Sequence, residues 1–337
     1  MLLLHLLTAC AGDAADTASA KGWDASGDPA PPDSGDTAGD DTAGDDTAGS
    51  GDTAGGDATG DSGGGTGDSG DDTEWPADLG VPEPTVVAGG VHTCALDVGV
   101  MTCWGSDDEG QSTVPEDVYT DIAAGFASTC AINAAHTLRC WGDDVYGEAE
   151  PPTGEFVSVE LGAWHGCALD PDGAVTCWGD DTFGQSTPPD ETFVQLAAGW
   201  EHTCGLTSGG TLACWGQDNA AQSTPPAGQF LSVSAGDYHN CAVRDDGAVL
   251  CWGTDSMDQC RAPEGVFRTV AGGGGHSCAV AEDGSMTCWG WAFYGQTEAP
   301  EGTFLEVSLG LAHSCARTAD EVVVCWGQDA KGQASPP

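Results

Sequence analysis

From about residue 85 to the end, the hydrophobic positions of this chain fall into short runs, each closed by a turn signal. FVQLAAG (Phe193 to Gly199), HTCGL (His202 to Leu206) and TLACWG (Thr211 to Gly216) are three such runs in succession. Runs of this length, rich in β-formers and bounded by Gly, Asp and Pro, predict strands, and no stretch carries a 3.6-residue apolar period with helix caps. The same three runs return along the chain. Aligning their first cysteines gives Cys94, Cys130, Cys167, Cys204, Cys241, Cys278 and Cys315, with one step of 36 residues and the rest of 37. The second cysteines, Cys103, Cys140, Cys177, Cys214, Cys251, Cys288 and Cys325, keep a step of 37, and each is followed by Trp-Gly. A fixed period of this size marks an array, a solenoid or a propeller. The expected fold is all-β, with three strands per copy and room for a short fourth.

The cysteines fix the register. In the third copy a three-residue loop Pro171-Asp172-Gly173 sets Cys167 opposite Cys177 and puts Gly173 where such a hairpin needs a left-handed residue. Gly210, Gly247 and Gly284 recur there, whereas His136 and Glu321 replace it in copies two and seven, which predicts strain in those two turns. The first copy is one residue shorter, and a two-residue loop Val98-Gly99 still places Cys94 opposite Cys103. Opposed residues at a non-hydrogen-bonded position lie roughly 4.5 Å apart at Cα, which suits one hairpin disulfide per copy. Each is worth about 2.7 kcal/mol in the chain-entropy model. The competing reading is zinc on His-x-Cys-x9-Cys, but the close Cys-x-x-Cys knuckle of zinc sites is missing.

Seven disulfides require an oxidising compartment, and MLLLHLLTAC supplies a route out of the cytoplasm. Its apolar run ending in Leu7-Thr8-Ala9-Cys10 resembles the lipobox of bacterial lipoproteins, although no Lys or Arg precedes it. Residues 1–9 therefore read as signal peptide, Cys10 as the lipidated N-terminus, and the destination as the outer membrane or cell surface. Residues 10–81, with DTAGDDTAGDDTAGSGDTAGGD, hold too few apolar groups to offset ordering entropy and read as a disordered tether. Such a tether spans roughly 45 Å root-mean-square, and it contains no EF-hand calcium loop. Cys260 fills a small-residue slot held elsewhere by Ser, Ala or Thr, either inert or bonded to another molecule.

The chain has 337 residues and a net charge of −47. Residues 1–84 carry 19 acids and one base, Lys21, which leaves the repeats at about −29. So acidic a surface disfavours nucleic acid and anionic membrane faces and favours basic, neutral or cationic partners. Membrane contact is expected only through the lipid, and the molecule is expected to be monomeric.

The run VAAG..HTCAL..DG.V.CWG....GQ...P resembles the regulator of chromosome condensation repeat, in the short bacterial form also found in a secreted β-lactamase inhibitor. The likeness covers residues 82–337 and implies a seven-bladed β-propeller, a closed ring without exposed sheet edges. Eukaryotic relatives act as nucleotide-exchange factors on a small GTPase and bind chromatin. This chain departs from them in its export signal, its acidity and its cysteine pairs, so the resemblance carries the fold and not that activity.

Within the repeat, the tryptophans Trp104, Trp141, Trp178, Trp215, Trp252, Trp289 and Trp326 read as blade-to-blade packing, since strand alternation turns them away from the adjacent cysteine. The histidines two before the first cysteine, His92, His165, His202, His239, His276 and His313, replaced by Ser128 in copy two, recur too regularly for one active site and read as a repeated hydrogen bond. No nucleophile elbow, no HExxH and no unique Ser-His-Asp grouping breaks the repeat, so neither catalysis nor a cofactor is expected. In a meandering blade the AGxxH and WGxxxxGQ loops emerge on one face, where the copies differ most. AGxxH loops supply Phe126, Trp164, Trp200, Glu201, Asp237 and Tyr238; WGxxxxGQ loops add Tyr146, Phe183, Trp291, Phe293 and Tyr294, several aspartates including Asp107, Asp144, Asp181 and Asp255, and Lys331. Aromatics amid acids are what protein hot spots favour. The expected function is a surface-tethered module that binds a protein or glycan through this face; a propeller hydrolase or lyase and a surface-coat lipoprotein without a ligand are the competing readings.

Overall fold

The structure, a computed structural model, describes residues 85–337; Cys10, the signal segment and the acidic tether lie outside the described residues. Seven three-stranded antiparallel sheets follow one another along the chain, each a simple meander. Blade 1 is built from β1 (Thr85–Ala88), β2 (His92–Asp97) and β3 (Val100–Gly105), and blade 7 from Phe304–Leu309, His313–Thr318 and Val323–Gly327. No blade has a fourth strand among the described residues; the nearest approach to one is an isolated bridge between Ala174 and Thr192.

The hairpins form in the register read from the cysteines. Cys94 faces Cys103 and Cys204 faces Cys214, and the same holds in every blade. All seven pairs are disulfides, with Cα atoms 4.0–4.1 Å apart as expected of non-hydrogen-bonded pairs. Gly173 turns at φ 82°, while His136 and Glu321 are forced to φ 59° and 64°, and the short turn of blade 1 uses φ 46° at Val98 and 76° at Gly99. The carbonyl of the left-handed residue then receives the N–H of the aromatic residue opening the next blade, as in His136 to Phe156 and Gly173 to Phe193, both 2.8 Å. These aromatics, from Tyr119 to Phe304, are buried.

The core lies between blades rather than within them. Ile132 and Leu138 of blade 2, for example, pack on Phe156, Val159 and Trp178 of blade 3. Each such layer is thin, and polar residues of the middle strands are buried inside it. Their hydrogen bonds join the blades into a ring. His92 Nε2 lies 2.8 Å from Thr129 Oγ1 of blade 2, and Thr129 donates to the Gln111 carbonyl of blade 1 at 2.9 Å. Because the hydroxyl proton is committed to that carbonyl, Nε2 must carry the histidine's proton. The pattern repeats through His165–Thr203, His202–Asn240, His239–Ser277 and His276–Ser314, and His313 bonds Thr93 to join blade 7 to blade 1. Each repeat tryptophan also donates Nε1–H to the previous blade, with Trp104 reaching the Gln333 carbonyl at 3.0 Å across the closure.

Nearer the axis, Gly89, Gly125, Gly162, Gly199, Gly236, Gly273 and Gly310 approach one another head to tail. A Cβ on any of them would collide with the carbonyl oxygen of the next, from Gly310 round to Gly89. Glycine is required at this position because the inner strands converge on a narrow channel.

One seam lacks the histidine bond. Blade 2 has Ser128 for histidine, and blade 3 has Gly166 where the acceptor should be, so both halves of the pair are missing together. The indole of Trp178 lies over Gly166 in the space a side chain would take. Gly166→Thr alone should therefore destabilise the propeller, whereas Gly166→Thr with Ser128→His should recover stability through a new interblade bond. A double-mutant cycle by urea unfolding should give a favourable coupling of about 1 kcal/mol or more. Additive losses would show that the relay does not hold the blades together.

Candidate functional site

The AGxxH and WGxxxxGQ loops share one face and are bonded together there. The residue after each Trp-Gly donates its N–H to the carbonyl preceding the repeat histidine, as in Asp180 to Trp164 at 2.8 Å and Thr254 to Tyr238 at 2.8 Å. In every WGxxxxGQ loop the Gln, or Glu148 in blade 2, turns back to accept a backbone N–H two residues earlier, as Gln185 does from Phe183 at 2.8 Å. An aspartate closes the same loop from the other side: Asp107, Asp144, Asp181 and Asp255 accept the N–H five residues on at 2.8–2.9 Å. These acids are loop framework. Cys260 continues the pattern, its N–H on Asp255 and its Sγ 3.3 Å from the Thr254 carbonyl, where Ser112 places its hydroxyl on Ser106.

Five of the aromatics singled out in the sequence come together. Trp200 is the hub, 9% exposed, with ring centroids 5.1 Å from Trp164, 5.2 Å from Phe126 and 6.2 Å from Tyr238. Tyr146 extends the cluster outward, 5.8 Å from Trp164. The group runs over blades 2 to 5. Phe126 and Trp200 belong to blades 2 and 4 and meet across Ala163 of the blade between, a small residue at the equivalent position. Trp291, Phe293 and Tyr294 form a separate patch on blade 6, with centroids 4.9 and 5.5 Å apart and Phe293 78% exposed. Phe183, in the loop that follows the last strand of blade 3, stands exposed. Lys331 lies 2.7 Å from Asp108.

The cluster borders the mouth of the channel, a feature that spacing within one repeat does not reveal. The residues two before each histidine converge there: Phe126, Trp200, Asp237 and Leu311 on larger side chains, Gly90, Ala163 and Gly274 on small ones. They enclose a cavity of about 80 Å³, floored by the glycine ring, in which Asp237 is the only charged lining residue among those described. Its backbone is stitched from blade to blade, with Trp200 N–H on the Asp237 carbonyl at 3.0 Å and Gly274 N–H on Gly310 at 3.1 Å.

Burial sets the charge states. It pushes the Asp237 carboxyl up to about 7. It also raises Glu201, helped by Asp180 and opposed by a 2.5 Å bond from Gln217. The Tyr238 phenol is raised by burial and by the nearby Glu201 and Asp237. Deeper, at the seam that lacks the histidine bond, burial lifts Asp121 to about 7 although it accepts the Val159 N–H at 3.0 Å. Glu160 rises to about 8, again through burial and then through Asp121. The six repeat histidines go the other way, down to about 3 or 4, chiefly because they are desolvated. Their Nδ1 atoms have no hydrogen-bond partner among the described residues, so a second proton would find no acceptor.

Seven blades closed around a glycine-lined channel, with loops gathered on one face, define a repeat-type β-propeller. The chain belongs to the regulator of chromosome condensation (RCC1) repeat family: the family model matches residues 119–148, 156–185, 193–222, 230–259, 267–296 and 304–333, more than half of the sequence. Among solved structures it is similar to the CRINKLY ectodomain of the Arabidopsis thaliana receptor kinase ACR4, at 28% identity and a TM-score of 0.63 over 75% of this chain and 97% of that one. It is also similar to the ectodomain of the Physcomitrella patens receptor kinase CR4, at 25% identity and 0.62 over 72% of each. Prp20p of Saccharomyces cerevisiae, whose structure was described with its binding to Gsp1p and histones, shares the fold at 18% identity and 0.57 over 64% of this chain and 74% of its own. No curated protein matches the chain.

The opposed shifts give a stability maximum. Unfolded, each histidine takes up a proton below its ordinary value of 6.5 that the folded state refuses, so stability falls as pH drops from about 6 towards 4. Asp121, Glu160 and Asp237 hold protons in the folded state that the unfolded chain releases above about 4, so their contribution is lost as pH rises through 7 to 8. Six histidines outweigh three carboxyls on the acid side. Melting temperatures across pH 4 to 9 at fixed ionic strength should peak between pH 6 and 7; a plateau down to pH 4 would contradict the buried neutral histidines.

Proposed function

We propose that this propeller is an exported, surface-tethered binding module that docks a protein or glycan partner on its loop face. The observation that carries the reading is the aromatic cluster of Tyr146, Trp164, Trp200, Tyr238 and Phe126, which joins four blades although no single repeat requires an aromatic there. Its loops are held by hydrogen bonds on both sides, so a partner meets a pre-formed surface and little ordering entropy is lost on docking. The repeat histidines offer no competing chemistry, because each is neutral, buried and committed to the next blade. Seven disulfides suit an oxidising compartment, and similarity to two receptor-kinase ectodomains agrees with an extracytoplasmic setting.

Trp164 and Tyr238, half-buried at the edge of the cluster, are the residues whose rings a partner would cover, with Trp200 holding them in place from beneath. Alanine at Trp164 or Tyr238 should weaken binding to a partner captured by the full chain by about 2 kcal/mol or more, with the melting temperature little changed. Equal losses from alanine at Asp172 or Asp246, in the opposite hairpin turns, would place the binding face at the other end of the blades. Trp200→Ala should lower both affinity and stability.

The tether reading is tested separately. Cys10→Ser should move the protein from the membrane fraction to the soluble fraction; unchanged membrane association would mean a different anchor.

A further inference from the structure

We propose that the channel mouth on the loop face is a receptor for one lysine side chain of a protein partner, with the ammonium group on the Asp237 carboxylate and the methylene stem laid against the contacting rings of Phe126 and Trp200. The inference rests on the loop face being the docking surface, and it names the chemistry of the contact at its centre.

The mouth has the composition such a ligand needs. Two aromatic rings stand 5.2 Å apart on one side, with Leu311 on the wall and glycine backbone beneath. Aromatic faces attract an ammonium through the ring quadrupole and also cover its alkyl stem. Asp237 lines the same cavity, and its carboxylate accepts no hydrogen bond and forms no ion pair among the described residues. That sets it apart from the framework acids Asp107, Asp144, Asp181 and Asp255, whose oxygens are occupied by loop N–H groups. A half-buried carboxylate without a partner is costly unless a cation arrives to pair with it.

Size and charge narrow the occupant. A cavity of about 80 Å³ admits a slender chain rather than a sugar ring or a folded element. A guanidinium would match one carboxylate bidentately, but its planar fork is wider than the compact ammonium on its unbranched stem, so the small cavity favours lysine over arginine. The repeat region's net charge of about −29 draws cations towards the face. The chain's own cations in and just after the WGxxxxGQ loops are paired with loop aspartates: Lys331 lies on Asp108, and Arg261 lies 3.0 Å from Asp258 and 3.6 Å from Asp255.

The test uses the full chain and three tripeptides blocked at both ends: Gly-Lys-Gly, its norleucine counterpart and its trimethyllysine counterpart. Binding is followed by tryptophan fluorescence and titration calorimetry at pH 8, where Asp237 is ionised, and at low salt. The lysine peptide should bind saturably, the norleucine peptide at least tenfold more weakly, and Asp237→Asn should cost the lysine peptide at least tenfold without lowering the melting temperature. Phe126→Leu should weaken it severalfold. Equal binding of lysine and norleucine peptides, full affinity in Asp237→Asn, or preference for trimethyllysine would each overturn the proposal. The two readings fail separately. A captured partner that is lost on Trp164→Ala while the lysine peptide does not bind removes the lysine receptor and leaves the docking face. Lysine binding with a partner insensitive to Trp164→Ala and Tyr238→Ala does the reverse.

Discussion

The propeller depends on a buried hydrogen bond made between blades. A three-stranded sheet of fifteen or so residues has two faces to bury and little apolar volume to bury them with, and each interblade layer here is a handful of side chains. Into that layer every middle strand except that of blade 3, which has Gly166, sends a hydroxyl or amide that would be expensive to bury alone. The solution is a three-part chain: histidine of one blade to the hydroxyl of the next, and that hydroxyl back to a carbonyl of the first. The accepting carbonyl belongs to the Gln of the WGxxxxGQ loop, which also takes the tryptophan N–H. Blade packing and loop conformation are thus one interaction, so the loop face inherits the rigidity of the core.

The same dependence explains where the repeat is free to vary. Positions inside the relay keep their chemistry, a histidine facing a hydroxyl or amide, and when Ser128 removes the histidine its acceptor disappears as well, at Gly166. That seam also departs from the pattern in its acids: Asp121 and Glu160 are both buried there, with Asp121 adding to the upward shift of Glu160, and Glu148 stands in for the loop glutamine with one buried oxygen unpartnered among the described residues. The aromatic cluster spreads over this seam from Tyr146 and Phe126 to Trp164 and Trp200. The most irregular sector of the ring is therefore also the sector with the most recognition-grade surface.

Much of this was legible in the sequence because repetition turns one observation into seven. The disulfide register, the left-handed residues at His136 and Glu321, the interblade role of the tryptophans and the sharing of one face by AGxxH and WGxxxxGQ loops all follow from aligning copies. The aromatic set was also visible, though not its hierarchy: that Trp200 is a buried hub while Phe293 is exposed depends on how neighbouring blades lean, which no single repeat encodes. The channel mouth was hidden for a related reason. Leu311, Gly90 and Gly274 are unremarkable in their own copies and become one wall only when seven equivalent positions meet on the axis. Likewise, Asp107 and Asp237 look alike as loop acids. Only the fold distinguishes the one whose oxygens are already engaged from the one whose are not.

Acidity and aromaticity act together on such a surface. Residues 85–337 concentrate a net charge of about −29 on a small ring, and the repulsion among its acids opposes compactness while the seven cross-links and the relay oppose unfolding. Long-range attraction of that kind speeds encounter with cationic partners but is screened by salt within about 8 Å at physiological ionic strength. It cannot by itself hold a partner in one orientation. The rings of Trp164, Trp200 and Tyr238 supply what charge lacks, an interaction of short range that salt does not screen. A partner drawn in by the acidic exterior would therefore settle where the aromatics are, and the face that gathers them needs no change in the framework acids to become selective.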